Sequence, residues 1–436
     1  MSKAAKAANA SSVETPEGLE VWLDDAHAGE MAHMGRLYRA GTHTVRFEYS
    51  PEWLAHPLAF SLDPELTLAE GSFYPKDSNF GIFMDSCPDR WGQILMKRRE
   101  LVEAKQEGRA KRELTNWDFF LGVQDITRMG ALRFSPLQSE RQLKKGERPL
   151  FTATACLANE ALSAPALSHL SELQNVALEL TRKKVNDLNL LHQWLRVLVA
   201  PGASLGGARP KANLQDGQGR LWIAKFPAAD DEHDWALREK LLHALADDYK
   251  LDISPAKLER IGHGYHTFVT LRFDRHEGRR RFFTSAMSLL GKTDKEEASY
   301  LELAEFLSTH GVEGHIDADL KELFRRVLFN VATANRDDHL RNHGFIWHPG
   351  GWRLAPAYDM NPSTKKDEHV LALDDSSTEP DFETVLATAE LYRLSQADAQ
   401  AELARLRAVI GTWEQRAKTL GLSAEDRLEL EDLMMF

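Results

Sequence analysis

Apolar positions follow two different rhythms along this chain. In the first third they alternate or form short runs. Val21-Trp22-Leu23 and Val45-Arg46-Phe47-Glu48-Tyr49 read as strands, and Leu58 to Leu66 alternates loosely among turn residues. CPDRWGQILMKRRE, inside Phe83 to Glu100, reads as a short helix with Pro88 in its first turn and basic residues at its end. Asn116 to Leu121 opens another. Leu167 to Ala200 carries apolar residues at three and four, as a helix does. Lys211 to Leu214 and Leu221 to Phe226 flank Asp216-Gly217-Gln218-Gly219, a hairpin turn. His233 to Tyr249 is an amphipathic helix with Leu237, Leu241 and Leu245 as its stripe, widened by Trp235 and Leu242. Glu239 falls at the apolar edge.

Phe268 to Arg275 reads as a strand ending in charge. From about residue 276 the pattern is helical. Leu320, Leu323, Phe324, Val327, Leu328 and Val331 form a buried stripe between Asp319 and Ala334. Phe345-Ile346-Trp347 and Trp352 to Ala355 flank the breaker-rich His348-Pro349-Gly350-Gly351, a second hairpin. Three more helices follow, with Ser395/Asp398 and Ser423/Asp426 as capping boxes. Residues 1–12 read as a disordered tail, 13–148 as a mixed, β-leaning unit closed by the polar stretch Gln138 to Arg148, and the remainder divides near residue 275. No internal repeat of fixed period is present.

Composition narrows the function classes. The 436 residues, 43% of them hydrophobic and 28% charged, are enough for two or three ordinary domains. A net charge of −12 argues against a broad electrostatic grip on nucleic acid or an anionic membrane. Arg279-Arg280-Arg281 reads as a solvated loop or strand edge. The cysteines, Cys87 and Cys156, lack metal-ligand spacing, so reduced thiols in a cytoplasmic protein are expected. No apolar run approaches the roughly 18 residues of a spanning helix, and the first dozen residues lack the apolar core of a signal peptide.

The candidate chemistry concentrates between Asn330 and Pro362. Asp337 and Asn342 form an Asp-x-x-x-x-Asn pair, the second hairpin follows, and Asp359 comes just past its far strand. Protein kinases use that layout: an Asp aligns the attacking hydroxyl, an Asn binds metal, and a hairpin returns a second metal-binding Asp. Upstream, a Gly-rich loop from Pro201 to Lys211 leads into paired strands, with Lys225 on the second and Glu239 available to face it. Asp85, Asp89 and Arg90 read as structural. A metal-hydrolase site built from Asp337, Asp338 and His339 is the competing reading; it explains neither the loop nor Lys225.

These motifs resemble the HipA-type serine/threonine kinases, toxins of bacterial type II toxin–antitoxin modules. The resemblance rests on Ser204-x-x-Gly207-Ala208-x-x-Lys211, Lys225, Arg272-Phe273-Asp274-Arg275, Asn335-x-Asp337-x-His339-x-x-Asn342 and Pro356-Ala357-Tyr358-Asp359. It implies an α+β, two-lobed protein-kinase-like fold with an extra N-terminal β-rich subdomain (13–148), an ATP-binding N-lobe (149–275) and an all-helical C-lobe (276–436). It also implies roles. Asp337 would be the catalytic residue, and Asn342 and Asp359 would hold Mg²⁺. Leu205, Gly206, Gly207, Ala208, Arg209, Pro210, Lys211 and Lys225 would contact ATP phosphates. Leu271 and Phe273 would meet the adenine through their backbones, with Arg272 between them also nucleotide-binding, and His339 and Tyr358 would line the site. Ser204 would be the autophosphorylation position.

The implied partners are a small helix-turn-helix, HipB-like antitoxin and a protein substrate, with an aminoacyl-tRNA synthetase as the class the family suggests. DNA would be met only through the antitoxin, and no membrane is involved. Characterised members often carry Gln-Glu where this chain has Arg209-Pro210, and Pro210 removes a backbone donor from the loop. The alternative of a different class is a catalytically silent kinase fold, a corepressor or binding module working with a DNA-binding antitoxin.

Overall fold

The computed structural model describes residues 16–138, 149, 151, 165–182, 209–262 and 264–435. The expected disordered tail at 1–12, Cys156, and the loop residues Ser204, Leu205, Gly206, Gly207 and Ala208 lie outside the described residues.

The alternating runs near the amino end pair as predicted by their period. Strands β1 (Gly18–Leu23), β2 (Ala32–Ala40), β3 (Thr44–Tyr49) and β4 (Leu132–Pro136) form an antiparallel sheet ordered β3-β2-β1-β4. The central β1 is buried on both faces, and Trp22 satisfies its indole N–H by donating to Ser135 Oγ at 3.0 Å. Between β3 and β4 lie helices α1 (Arg90–Glu107) and α2 (Asn116–Leu121). Helix α1 is longer than its sequence pattern suggests. Asp89, not Pro88, starts it by accepting the Gly92 N–H at 2.8 Å, and the helix runs 18 residues to Gly108 in the left-handed conformation.

Helix α3 (Leu170–Thr181) precedes a second four-stranded antiparallel sheet of β5 (Lys211–Gln215), β6 (Leu221–Lys225), β7 (Ala256–Glu259) and β8 (Thr267–Leu271), ordered β5-β6-β8-β7. The β5–β6 turn is held by the Asp216 carboxylate, which accepts the N–H groups of Gln218 and Arg220, each at 2.9 Å. Because side chains alternate along β6, Trp222 and Ala224 face α1 and α3, while Ile223 and Lys225 face the other way. Helix α4 (Trp235–Tyr249) lies against that second face.

Past residue 274 the chain does not turn helical at once. It forms the short strands β9 (Arg275–His276), β10 (Arg279–Arg280) and β11 (Phe283–Ser285). Strand β11 then joins the predicted hairpin, β12 (Gly344–His348) and β13 (Gly351–Leu354), in a three-stranded sheet. The carboxy-terminal half is therefore helical around a small sheet, not helical throughout. Three-residue strands have no readable period, and their pairing is set by tertiary contact with a distant partner.

Besides the single turn Ala286–Leu289, the helices here are α5 (Tyr300–His310), α6 (Ile316–Ala332), α7 (Phe382–Ala387), α8 (Gln396–Ile410), α9 (Trp413–Leu420) and α10 (Ala424–Glu431). Ser395 and Ser423 cap α8 and α10 by accepting the N–H groups of Asp398 and Asp426. Helix α6 buries its apolar stripe, Leu320 through Val331, completely. Among the described residues no helix is long and apolar enough to cross a membrane.

The Arg272-Phe273-Asp274-Arg275 segment fastens the two amino-terminal layers together. Arg272 Nη1 donates to Thr127 O at 2.6 Å, and Asp274 Oδ2 accepts the Gly130 N–H at 2.8 Å. Both side chains are buried. The loop before β4 is thereby fixed to the strand end that follows β8.

Candidate active site

Lys225, at the end of β6, places Nζ 2.6 Å from Glu239 Oε1 and 2.6 Å from Asp359 Oδ1. Glu239 comes from the first turns of α4, which Asp234 caps by accepting the Leu237 N–H at 3.2 Å. Asp359 lies beyond β13 at φ +59°, a left-handed conformation uncommon outside glycine. Asn361 braces it by donating from Nδ2 to Asp359 Oδ1 at 3.2 Å.

The charges of this cluster are interdependent. Burial alone would push Asp359 up, but Lys225 and Lys211 outweigh it and hold the carboxyl below its ordinary range. Burial pushes Glu239 up against the opposing pull of Lys225. Burial would lower Lys225, yet its two carboxylates outweigh that and hold it protonated.

The second half of the site is the loop after α6. Ala334 takes φ +51°, and Asn335 folds back so that its Nδ2 donates to Asn330 Oδ1 at 2.9 Å. The turn sends the two adjacent acids in opposite directions. Asp338 goes inward, and its Oδ2 accepts from Tyr300 Oη at 2.7 Å, Asn330 Nδ2 at 2.8 Å and His343 Nε2 at 2.6 Å. Asp337 goes outward, with 65% of its side chain exposed, and pairs with the Lys366 ammonium. Asn342 is buried; its Nδ2 reaches the Asp337 carbonyl at 3.4 Å, and its Oδ1 has no protein partner among the described residues. His339 is half-buried, and its Nδ1 likewise finds no partner there.

Between these halves lies an apolar slot, lined by Ile223, Phe268, Leu271, Phe273, Tyr358 and Met360, with Lys225, Glu239 and Asp359 at one end. The Tyr358 ring stacks on Phe273 at 5.4 Å between centroids, and its hydroxyl donates to Arg341 O at 2.7 Å. An apolar slot with a charged cluster beside it suits an apolar base followed by phosphates. The backbone N–H groups of Leu271 and Arg272 are taken by Pro255 O at 2.9 Å and Leu221 O at 3.0 Å.

The structure brings Lys225, Asp359, Tyr358 and Phe273 together around this slot, and sets Asp337, His339 and Arg341 on the wide cleft beside it. Three of the predicted contact residues border the slot or its mouth with their charged groups already held by protein partners. The Arg272 guanidinium is buried and bonded to Asp274, Thr127 and Asn213. Lys211 Nζ sits 2.8 Å from Asp89 Oδ2, with both side chains buried. Arg209 pairs with Asp231 and lies over the Trp235 ring, 5.5 Å from its centroid. Pro210 accepts the Phe226 N–H at 2.8 Å.

Sequence reasoning read Asp89 as structural and passed over Lys366. Asp89 caps α1, and its second oxygen holds Lys211 beside the cluster. Lys366 sits in a loop without pattern, anchored by Arg336 Nη1 donating to the Lys366 carbonyl at 2.7 Å. Asp85 is structural as expected, its carboxylate accepting from Thr284 and Ser285 at 2.7–2.9 Å. Cys87 is buried, and burial pushes its thiol up to about 12.

A four-stranded sheet with one long helix, joined to a mostly helical half that returns an Asp on a hairpin, is a protein-kinase-like fold in two lobes with a β-rich amino-terminal addition. The comparisons with known proteins agree. The HipA N-terminal domain matches residues 19–134 and the HipA-like C-terminal domain residues 203–417, so the chain belongs to the HipA family.

A putative kinase of Haemophilus influenzae (strain Rd) is 33% identical over 112 residues, a match that spans 22% of this chain and 31% of that protein. Among solved structures, the chain is similar to one from the toxin–antitoxin complex of HipA, HipB and operator DNA of Shewanella oneidensis MR-1. That likeness has a TM-score of 0.61 at 16% identity and covers 95% of each chain.

Proposed function

We propose that this protein is an ATP-dependent serine/threonine protein kinase of the HipA toxin type. The observation that carries the reading is the convergence of Glu239, from α4, and Asp359, from the loop after β13, on Lys225 of β6, each 2.6 Å from its Nζ at the end of an apolar slot. Lys225 would meet the nucleotide phosphates and Glu239 would fix its direction. Asp337, exposed on the cleft, would accept the proton of the attacking hydroxyl and hold that oxygen in line. His339 and Tyr358 would border the nucleotide.

Asn342 and Asp359 fit a divalent cation. Both supply oxygen ligands, and Asn342 Oδ1 is buried without a protein partner among the described residues. Magnesium held there would offset the charge of the phosphate oxygens. The same reading makes Ser204 the autophosphorylation position, divides the chain near residues 148 and 275, and gives it a HipB-like antitoxin and a protein target of the aminoacyl-tRNA synthetase class.

The test is intact and peptide mass spectrometry after incubation with Mg²⁺ and ATP, wild type beside Asp337→Ala. Phosphate on Ser204 of the wild type only is the expected result. Absence of phosphate on both, with no ATP binding, would overturn the kinase reading in favour of a silent binding module.

A further inference from the structure

Arg238, the residue before Glu239, is fully buried and does not face the active site. Its Nε and Nη2 donate to Asp426 Oδ1 at 3.0 and 2.6 Å, and Nη2 also reaches Glu429 Oε2 at 2.6 Å. Both acids belong to α10, the last helix of the chain. His233 joins them, with Nδ1 3.2 Å from Asp426 Oδ1. His233, Asp426 and Glu429 bring their ligand atoms within 4.8 Å of one another. The cation they surround is the guanidinium of Arg238 itself, so the group is an ion-pair cluster.

We propose that α10 is a latch that sets the position of Glu239 against Lys225, with Arg238 as the positioning residue. The inference rests on the kinase reading given above. Consecutive helical residues lie about 100° apart around the axis, so a rotation of the first turns of α4 moves Arg238 and Glu239 together. The later turns of α4 are held independently, for instance by Tyr249 Oη donating to Glu402 O at 3.3 Å. The first turns are held by the Asp234 cap and by Arg238, beside the Lys225–Glu239 pair and Lys240 Nζ donating to Ala256 O at 2.9 Å.

Releasing α10 would leave a buried guanidinium unpaired, which is costly enough to shift the helix toward solvent. The same turn also supports the end of the Gly-rich loop. Two guanidinium groups lie over the Trp235 ring, Arg238 5.2 Å and Arg209 5.5 Å from its centroid. Docking of α10 is thereby coupled to both the Lys225–Glu239 pair and the exit of the phosphate loop. A partner that covers or displaces the last helix would raise or lower nucleotide affinity without touching the nucleotide site.

The experiment compares wild type, Asp426→Asn combined with Glu429→Gln, Glu429→Gln alone, and Arg238→Lys. Hydrogen exchange of the α4 amides without nucleotide, Mg²⁺-ATP affinity by calorimetry, and thermal unfolding are measured on each. In the double variant the latch predicts exchange in residues 235–241 and the ATP dissociation constant each raised about tenfold, with exchange at 243–249 unchanged. Glu429→Gln and Arg238→Lys should fall between it and wild type, and Glu429→Gln retains the Asp426 pair should the double variant not fold. Lower thermal stability with α4 exchange and ATP affinity within twofold of wild type would overturn the latch. Failure of the wild type to bind ATP would overturn the kinase reading instead, and the exchange measurement would still decide the latch.

Discussion

Lys225 Nζ and Asp359 Oδ1 stand 2.6 Å apart across the cleft between the two lobes. The ammonium also holds Glu239, so one cation keeps a buried and a partly exposed carboxylate together. Lys225→Met should leave those acids facing each other without a cation. We expect phosphoryl transfer to fall by about 10²–10³-fold, the usual loss for a group that stabilises developing charge. Lys225→Arg should not restore it, because a guanidinium cannot take the place of a compact ammonium between two oxygens. Steady-state turnover of the three proteins, with circular dichroism to confirm the fold, checks this; wild-type turnover in Lys225→Met would remove Lys225 from the site.

Asp337 and Asp338 are neighbours in sequence with opposite environments, and their variants should separate function from folding. Asp337→Asn removes an exposed carboxylate and should change stability by no more than about 0.5 kcal/mol while abolishing phosphoryl transfer. Asp338→Asn replaces an acceptor of three hydrogen bonds inside the core. A loss of about 3 kcal/mol is expected, as for breaking a buried ion pair. Denaturant unfolding beside turnover distinguishes them. A stable, inactive Asp338→Asn with an active Asp337→Asn would reverse the assignment.

Lys366 pairs with the exposed oxygen of Asp337 and is itself partly exposed. Such a pair contributes little to stability, about 0–1 kcal/mol, so its value lies in placing a positive charge beside the acid. Lys366→Ala should leave unfolding nearly unchanged and reduce turnover by about tenfold, or 1.4 kcal/mol in the barrier. Equal turnover would make the contact an ordinary surface ion pair.

Asp274 gives the fold a predictable response to acid. Burial would raise its carboxyl, but Arg272 and Arg275 outweigh that and hold it far below the ordinary carboxylate range. The folded protein therefore keeps this group charged at pH values where the unfolded chain protonates it. The stability it contributes is present above about pH 4, the unfolded value, and is lost as pH falls below that. Asp274→Asn should cost about 3–5 kcal/mol near neutral pH, and the gap from wild type should narrow on acidification. Denaturant melts at pH 7 and pH 3.5 test the sign; a gap that widens in acid would contradict it.

The sequence made the local parts of this site readable and left the long-range ones hidden. The turn Asp216 to Gly219 announces the hairpin that ends at Lys225, and the α4 stripe puts Glu239 at its apolar edge, so their meeting follows from two neighbouring patterns. The Asp337/Asn342 spacing distinguishes the outward acid from the inward one. Asp89 carries no such signal, since its cap role explains its presence and only the tertiary fold brings its other oxygen to Lys211. Strand β11 is three residues long and takes its register from β12, a distant partner. The role of Arg272 also escaped the pattern. The resemblance put Arg272 among the nucleotide-binding residues, whereas burial against Asp274 and the Thr127 carbonyl makes its side chain a fastening between layers.

The metal prediction depends on one unsatisfied atom. Asn342 is buried with Oδ1 lacking a protein partner among the described residues, and a buried acceptor left so ordinarily costs about 1–3 kcal/mol. A divalent cation would satisfy it, with Asp359 supplying the second oxygen. Asn342→Leu removes that acceptor with little change in volume. It should therefore fold at least as well as wild type while requiring about tenfold more Mg²⁺ for half-maximal activity, the usual loss when a ligand-sphere interaction is removed. Asp359→Asn should also raise the Mg²⁺ requirement, and it should loosen Lys225, because the ammonium then keeps only Glu239 as a charged partner. Magnesium titrations of turnover on the three proteins, with melting temperatures measured without metal, separate the two effects. An unchanged Mg²⁺ requirement in Asn342→Leu, with reduced stability, would mean that Asn342 supports the loop and that the cation is held elsewhere.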